Sequence, residues 1–229
     1  MQHVKEQNWF AVGLDVIVVI VGIFLGMQVT EWNDDRKNKA LENEYISRII
    51  SDLDESIQEN EEVLQESDTQ VRELKLAVEL LYEKTLDDSN YQKFMKSLAQ
   101  HSTGWDSIII IDDTIEELQS TGFMGLIRST EVRKSINRFQ RKYAEYLDTQ
   151  ESVKDFMVEL HLRWFDIISL TPNFLVTTPI EEFKNNREYY NLLNRMLAIH
   201  RVINSTSKEL DEETKKFKEV LIVYLSSEN

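Results

Sequence analysis

The residue of this 229-residue chain whose surroundings point first to chemistry is Asp15, the only charge between Trp9 and Thr30. A carboxylate costs on the order of 2 to 3 kcal/mol at the centre of a bilayer, less when it lies about six residues inside one end, so it turns toward protein or water. At ~100° per residue Asp15, Val19, Gly22 and Gly26 share one helix face, and the Gly22 to Gly26 spacing permits close approach of a second helix. The same positions also fit an acid that reaches headgroup water, with the glycines incidental. The other candidates converge less. His3, His101, His161 and His200 form no ligand set at helical spacing, so no metal is expected. His101, Ser102, Trp105 and Asp106 share a stretch that has neither a nucleophile elbow nor a phosphate-cradling pattern. The acidic runs Glu59 to Glu62 and Asp211 to Glu213 lack the spacing and central glycine of a calcium loop and read as solvated helix faces. With no cysteine there are no disulfides, thiolate nucleophiles or Cys-ligated metals, and no cofactor is expected.

The element that must carry Asp15 is the run from Trp9 to Trp32, long enough at 1.5 Å per residue to cross the ~30 Å hydrocarbon core. Trp9 and Trp32 stand at its ends, where indole rings settle among headgroups. A cleaved signal peptide would have a shorter apolar run, a basic start and a small-residue cleavage site. Residues 1–8 are then an N-terminal stub and residues 33–229 a single domain. The net charge of −15 argues against nucleic acid, whose binders cluster Lys and Arg to displace counterions. Only 6 Gly and 2 Pro are present, and both prolines fall between Thr171 and Ile180, so long helices are possible nearly everywhere else.

Three apolar seams with 4,3 spacing follow. The first runs through Ile46, Ile50, Leu53, Ile57, Asn60, Leu64, Ser67, Val71, Leu74, Val78 and Leu81. Asn60 interrupts it either as a register-setting residue or as one tolerated where packing is loose. The second runs from Val132 through Tyr146, Val153 and Trp164 to Ile167, and the third from Tyr189 through Met196, Ile203 and Phe217 to Tyr224. Each covers about 35 residues, roughly 50 Å at helical rise. The expected fold is therefore all-α: one N-terminal transmembrane helix (9–32), then an elongated antiparallel three-helix, coiled-coil-like bundle with a small helical cap. Leu147, Phe156, Phe165 and Ile168 widen the second seam, as expected of the helix with most neighbours.

Thr85 to Thr130 is the irregular region, with short helices expected over Tyr91 to Gln100 and Asp112 to Thr121, a C-cap glycine at Gly122, and capping by Ser129, Thr130 and Glu131. Ile108 to Ile111 has strand composition but no partner strand, and is expected to pack on the bundle end. If the span feeds the first long helix, three matched seams predict an up, down, up path. Residues 85–130 would then be a membrane-distal cap, and the Thr171 to Ile180 loop would lie beside the bilayer. Trp164, Phe165, Phe174, Leu175 and Val176 would sit at headgroup depth or cap the bundle base against one another.

Two clusters carry a family resemblance. In the span these are Asp15, Gly22-Ile23, Gln28-Val29 and Trp32-Asn33. Farther on they are Leu118, Ser120-Thr121-Gly122, Leu126-Ile127 and Glu131-Val132-Arg133. On these residues the chain resembles an uncharacterised group of bacterial single-span membrane proteins, with Leu14 in place of that group's Gly and Thr121 in place of a Ser. No established activity comes with the resemblance.

The expected function is that of a non-catalytic single-pass membrane scaffold. Its partners would be the lipid bilayer and either copies of itself or another membrane protein. The alternative is an ion-coupled transport or sensory subunit that uses Asp15. Arg36, Lys37 and Lys39 against Lys5 favour a cytoplasmic domain. Relatives with longer basic amino termini imply the opposite side, and a large acidic domain can translocate regardless of its charge. The expectation is the bacterial inner membrane with an extracytoplasmic domain.

Overall fold

A computed structural model describes residues 9–101, 107–169 and 177–228. It is helical, with no strand among the described residues: α1 (Trp9–Tyr82), α2 (Tyr91–His101), α3 (Asp113–Ser120), a 3-10 turn (Phe123–Leu126), α4 (Thr130–Ile167), α5 (Ile180–Asn185) and α6 (Arg187–Glu228).

Helix α1 joins the apolar run and the first seam in 74 uninterrupted residues, ~110 Å at helical rise. No glycine follows Gly26 and no proline occurs before its end, so Asn33, Asp34 and Asp35 pass within the helix although they could have capped a new one. The helix ends in a Schellman arrangement: the Thr85 N–H donates to the Leu80 carbonyl at 3.1 Å and the Lys84 N–H to that of Leu81 at 3.3 Å. This puts Lys84 in the left-handed region at φ 56°.

Residues 13–38 are exposed throughout, and burial begins with Glu42. From there the buried face of α1 follows Ile46, Ile49, Leu53, Ser56, Asn60, Ser67, Gln70, Leu74, Ala77 and Leu81. Seven of the eleven seam residues are buried as expected, Val78 among them. At Ile50, Ile57 and Val71 the buried residue is the one before, Ile49, Ser56 and Gln70.

The path of the chain differs from the expected up, down, up. Near the apolar arm, Tyr45, Ile46, Ile49 and Leu53 pack with Ile115, Leu118, Ile127, the start of α4 (Val132, Ile136) and the end of α6 (Phe217, Leu221). At the far end, Leu74, Val78 and Leu81 pack with Phe94 and Leu98 of α2, the end of α4 (Leu160, Trp164) and the start of α6 (Tyr189, Leu193). Helix α4 therefore runs in the same sense as α1, and α6 runs against both. Residues 107–128 make this possible by returning along α1: Asn60 bonds Ile109, Ser56 bonds Ile111, Asp52 bonds Thr114 and Glu42 bonds Arg128. Residues 85–130 are thus no single cap at the far end, since α3 and the following turn lie beside the arm.

Helix α6 is the one packed along both α1 and α4. Its buried stripe is the widest and adds Leu197, Ser207, Asp211, Thr214 and Leu221 to the expected seam. The flankers that were to widen α4 do not do so: Phe156 is 63 % exposed, and Leu147 and Phe165 also face outward, while Ile168 is buried.

Candidate functional site

In the arm, Asp15, Val19, Gly22 and Gly26 lie on one continuous helix and are all exposed. A Cβ added at Gly22 or Gly26 would meet nothing within 4 Å, so this face is open in the single chain. Thr30 folds back to it, its Oγ1 donating to the Gly26 carbonyl at 3.0 Å. Counting ~100° per residue, Glu42, Ile46, Ile49 and Leu53 are turned about half a revolution from this face. The domain therefore grows from the side of α1 opposite Gly22 and Gly26. Trp32 is exposed at the end of the arm. Trp9 opens α1, and its side chain lies outside the described residues.

The arm meets the domain at a collar of hydrogen bonds that the sequence did not single out. Glu42 is fully buried. One carboxylate oxygen accepts from the Arg128 backbone N–H at 2.7 Å and from the Tyr224 hydroxyl at 2.7 Å, and the other accepts from Arg128 Nε at 2.8 Å. One side chain of α1 thereby ties down the entry to α4 and the end of α6. One turn on, Glu117 of α3 accepts from the Tyr45 hydroxyl at 2.7 Å and from Arg48 at 2.6 Å. The Arg48 guanidinium and the Tyr45 hydroxyl hold the Glu117 carboxyl below its ordinary range, and the same bond to Glu117 raises the Tyr45 phenol. A signal for Glu42 was present: it stands four residues before Ile46, on the extrapolated first seam.

The second resemblance cluster belongs to this collar. Leu118 and Ile127 are fully buried. Ser120 and Thr121 turn their hydroxyls back to the Glu117 carbonyl at 3.2 and 2.6 Å. Gly122 adopts φ 76°, where a side chain would be strained. Leu126 is half-buried, Glu131 lies in the first turn of α4, and Arg133 donates to the Ile127 carbonyl at 2.8 Å. Ser129 caps α4 by accepting from the Val132 N–H at 3.2 Å. These residues build a turn that lies beside the arm rather than at the distal end.

Of the residues expected at headgroup depth beside the loop, Trp164 and Phe165 lie at the far end rather than at the arm. Trp164 is buried at the far end against Tyr189, their ring centroids 6.0 Å apart, and Phe165 is exposed beside it. The ends of the loop that follows are fastened there, with the Ser169 N–H on Thr178 Oγ1 and the Tyr91 hydroxyl on the Thr178 carbonyl. Phe174, Leu175 and Val176 lie outside the described residues, as do His3, Ser102, Trp105, Asp106 and the side chain of His101. Among the described residues no three His, Cys, Asp or Glu side chains gather where they could hold a metal ion.

No protein-family model, curated protein or solved structure matches the chain. One helix is long and apolar enough to cross a membrane, with a mean hydropathy of 2.1 over its best window and none of that window buried.

Proposed function

We propose that the chain is a non-catalytic single-pass membrane scaffold: α1 crosses the bilayer through its first 24 residues and holds a helical domain above it, and the protein assembles with copies of itself or with another membrane protein. The observation that carries this reading is the bare arm, since a core helix of the same hydropathy would be covered by its own protein. Lipid is the cover that its length and composition fit. The opposed faces of α1 support assembly: two spans meeting at Asp15, Val19, Gly22 and Gly26 would carry their domains outward, without a clash. The family resemblance, the bacterial inner membrane and an extracytoplasmic domain belong to the same proposal. Alkaline extraction of expressed membranes tests it. The chain should stay in the membrane pellet, and its release into the supernatant would end the reading.

Asp15 favours a second reading, in which the acid titrates within an ion-coupled or sensory assembly. Asp15→Asn keeps size and hydrogen bonding. If neither oligomer state nor ion leak in liposomes changes with that substitution, the second reading fails.

A further inference from the structure

The far end of the domain carries a cleft of about 340 Å³ whose charge is opposite to that of the chain. Tyr82 and Lys84 at the end of α1, Lys184 of α5, and Arg187 and Tyr190 of α6 wall it, over Phe183. The chain has 41 acidic and 26 basic residues, yet this lining holds three cations and no carboxylate. Lys184 is engaged by Glu181 at 3.2 Å. The side chains of Lys84 and Arg187 have neither an ion-pair nor a hydrogen-bond partner among the described residues. Beside them the Tyr82 and Tyr190 rings lie 5.8 Å apart, and Tyr82 is 73 % exposed.

Lys84 adds an independent sign. It is the one non-glycine residue with positive φ among the described residues. It occupies the helix-ending position where glycine avoids a steric cost of about 1 kcal/mol. The fold does not need a lysine there, and its side chain lines the cleft.

We propose that this cleft binds a compact carboxylate carrying a flat apolar ring, with Arg187 and Lys84 on the carboxylate and the ring against Tyr82 and Tyr190. A guanidinium fork matches a carboxylate, and tyrosine faces take a ring at offset or edge geometry. The cleft is at the small end of ligand sites. A long polyanion would be repelled by the rest of a chain of net charge −15. The ligand can be a free acid or the carboxyl-terminal aromatic residue of a peptide, and the inference stands apart from the membrane reading.

The test uses the full chain in nanodiscs, titrated calorimetrically against an empty-nanodisc blank. The probes are 3-phenylpropionate and its uncharged amide, and glycyl-glycyl-phenylalanine with a free or an amidated terminus. At least one carboxylate binds, and its amide binds about tenfold more weakly or worse. Binding of the free acid, the peptide or both identifies the source. Arg187→Gln weakens binding by a similar factor. Lys84→Gly weakens binding while raising the thermal midpoint, a split that a purely structural lysine would not produce. Equal binding of acid and amide, no binding of either carboxylate up to ~10 mM, or unchanged affinity in both variants overturns the proposal.

Discussion

Glu42 is a buried carboxylate that accepts from the Arg128 backbone and side chain and from the Tyr224 hydroxyl. Truncating it removes an acceptor of Arg128 and of Tyr224 and opens a void under the arm. Since Arg128 is half exposed and can turn to water, the expected loss for Glu42→Ala is about 2 to 3 kcal/mol rather than the full cost of a buried orphan charge. A lowered urea midpoint of the detergent-solubilised chain would record it. The acids with depressed pKa values set the behaviour in acid. Glu117 is held low by Arg48 and Tyr45, and Asp68 by Lys208 and Asn204. A depressed carboxyl contributes stability that is present above its unfolded pKa, near 4.5 for Glu117 and 3.8 for Asp68, and lost as pH falls through the folded value. Asp112 has the opposite sign, because burial raises it first and Glu116 adds to this. Its contribution is present below its unfolded pKa and lost as pH rises through the folded one. Asp112→Asn should therefore raise the thermal midpoint at pH 7 and leave it unchanged near pH 3, where wild-type Asp112 is itself protonated. A midpoint that falls at pH 7 would contradict the assigned cause.

At the scale of elements, the seams told most of the residues that face inward, but not which way each helix runs. Periodicity carries no sense of direction, and a 46-residue connection is long enough either to cap one end or to return along the first helix. It returns, because the extended stretch Ser107 to Asp112 finds its hydrogen bonds in side chains: Asn60 accepts from the Ile109 N–H at 2.9 Å and donates to its carbonyl at 2.6 Å, and the Tyr146 hydroxyl accepts from Ile108 at 3.0 Å. Ile108 and Ile110 are buried while Ile109 is 63 % exposed. This is the alternation of a strand edge with no sheet, which composition alone could suggest but not place. Asn60 thus fixes the register of a non-helical segment. Asn60→Ala should cost about 2 kcal/mol by leaving both Ile109 groups unpaired. Cost within ~0.5 kcal/mol, the range of ordinary surface changes, would mean that the clamp carries nothing. The same polar stretch of α1, with Ser56, Asn60, Ser67 and Gln70 inward, separates the two large apolar clusters. Amide hydrogen exchange should be faster for residues 56–70 of α1 than for residues 46–53 or 74–81, since local opening tracks buried apolar contact. Equal protection along the helix would argue for one cooperative unit.

For the whole molecule, the decisive property is that one helix has two unlike parts. Its first part is apolar and bare, and its second is half covered by the domain. The exposed face at Gly22 and Gly26 predicts a packing effect with no hydrophobic substitute in lipid: Gly22→Leu and Gly26→Leu should each lower the crosslinked dimer fraction several-fold in membranes. An unchanged distribution in both variants and in mild detergent would remove self-association through this face. The apolar run was legible in the sequence because a span needs only length and composition. The collar was not, because Glu42, Glu117, Arg128 and Tyr224 are far apart in the chain and meet only through the return of residues 107–128. Between Trp32 and Tyr82 the same helix extends ~75 Å at helical rise, and nothing interrupts it. Such a helix is a lever. Spans in bilayers tilt by tens of degrees to suit thickness and neighbours, and a change of ~10° at the membrane would swing the far end through roughly 13 Å. If the arm spans a bilayer as proposed, small adjustments of lipid packing around Asp15 become displacements as wide as a helix at the tip.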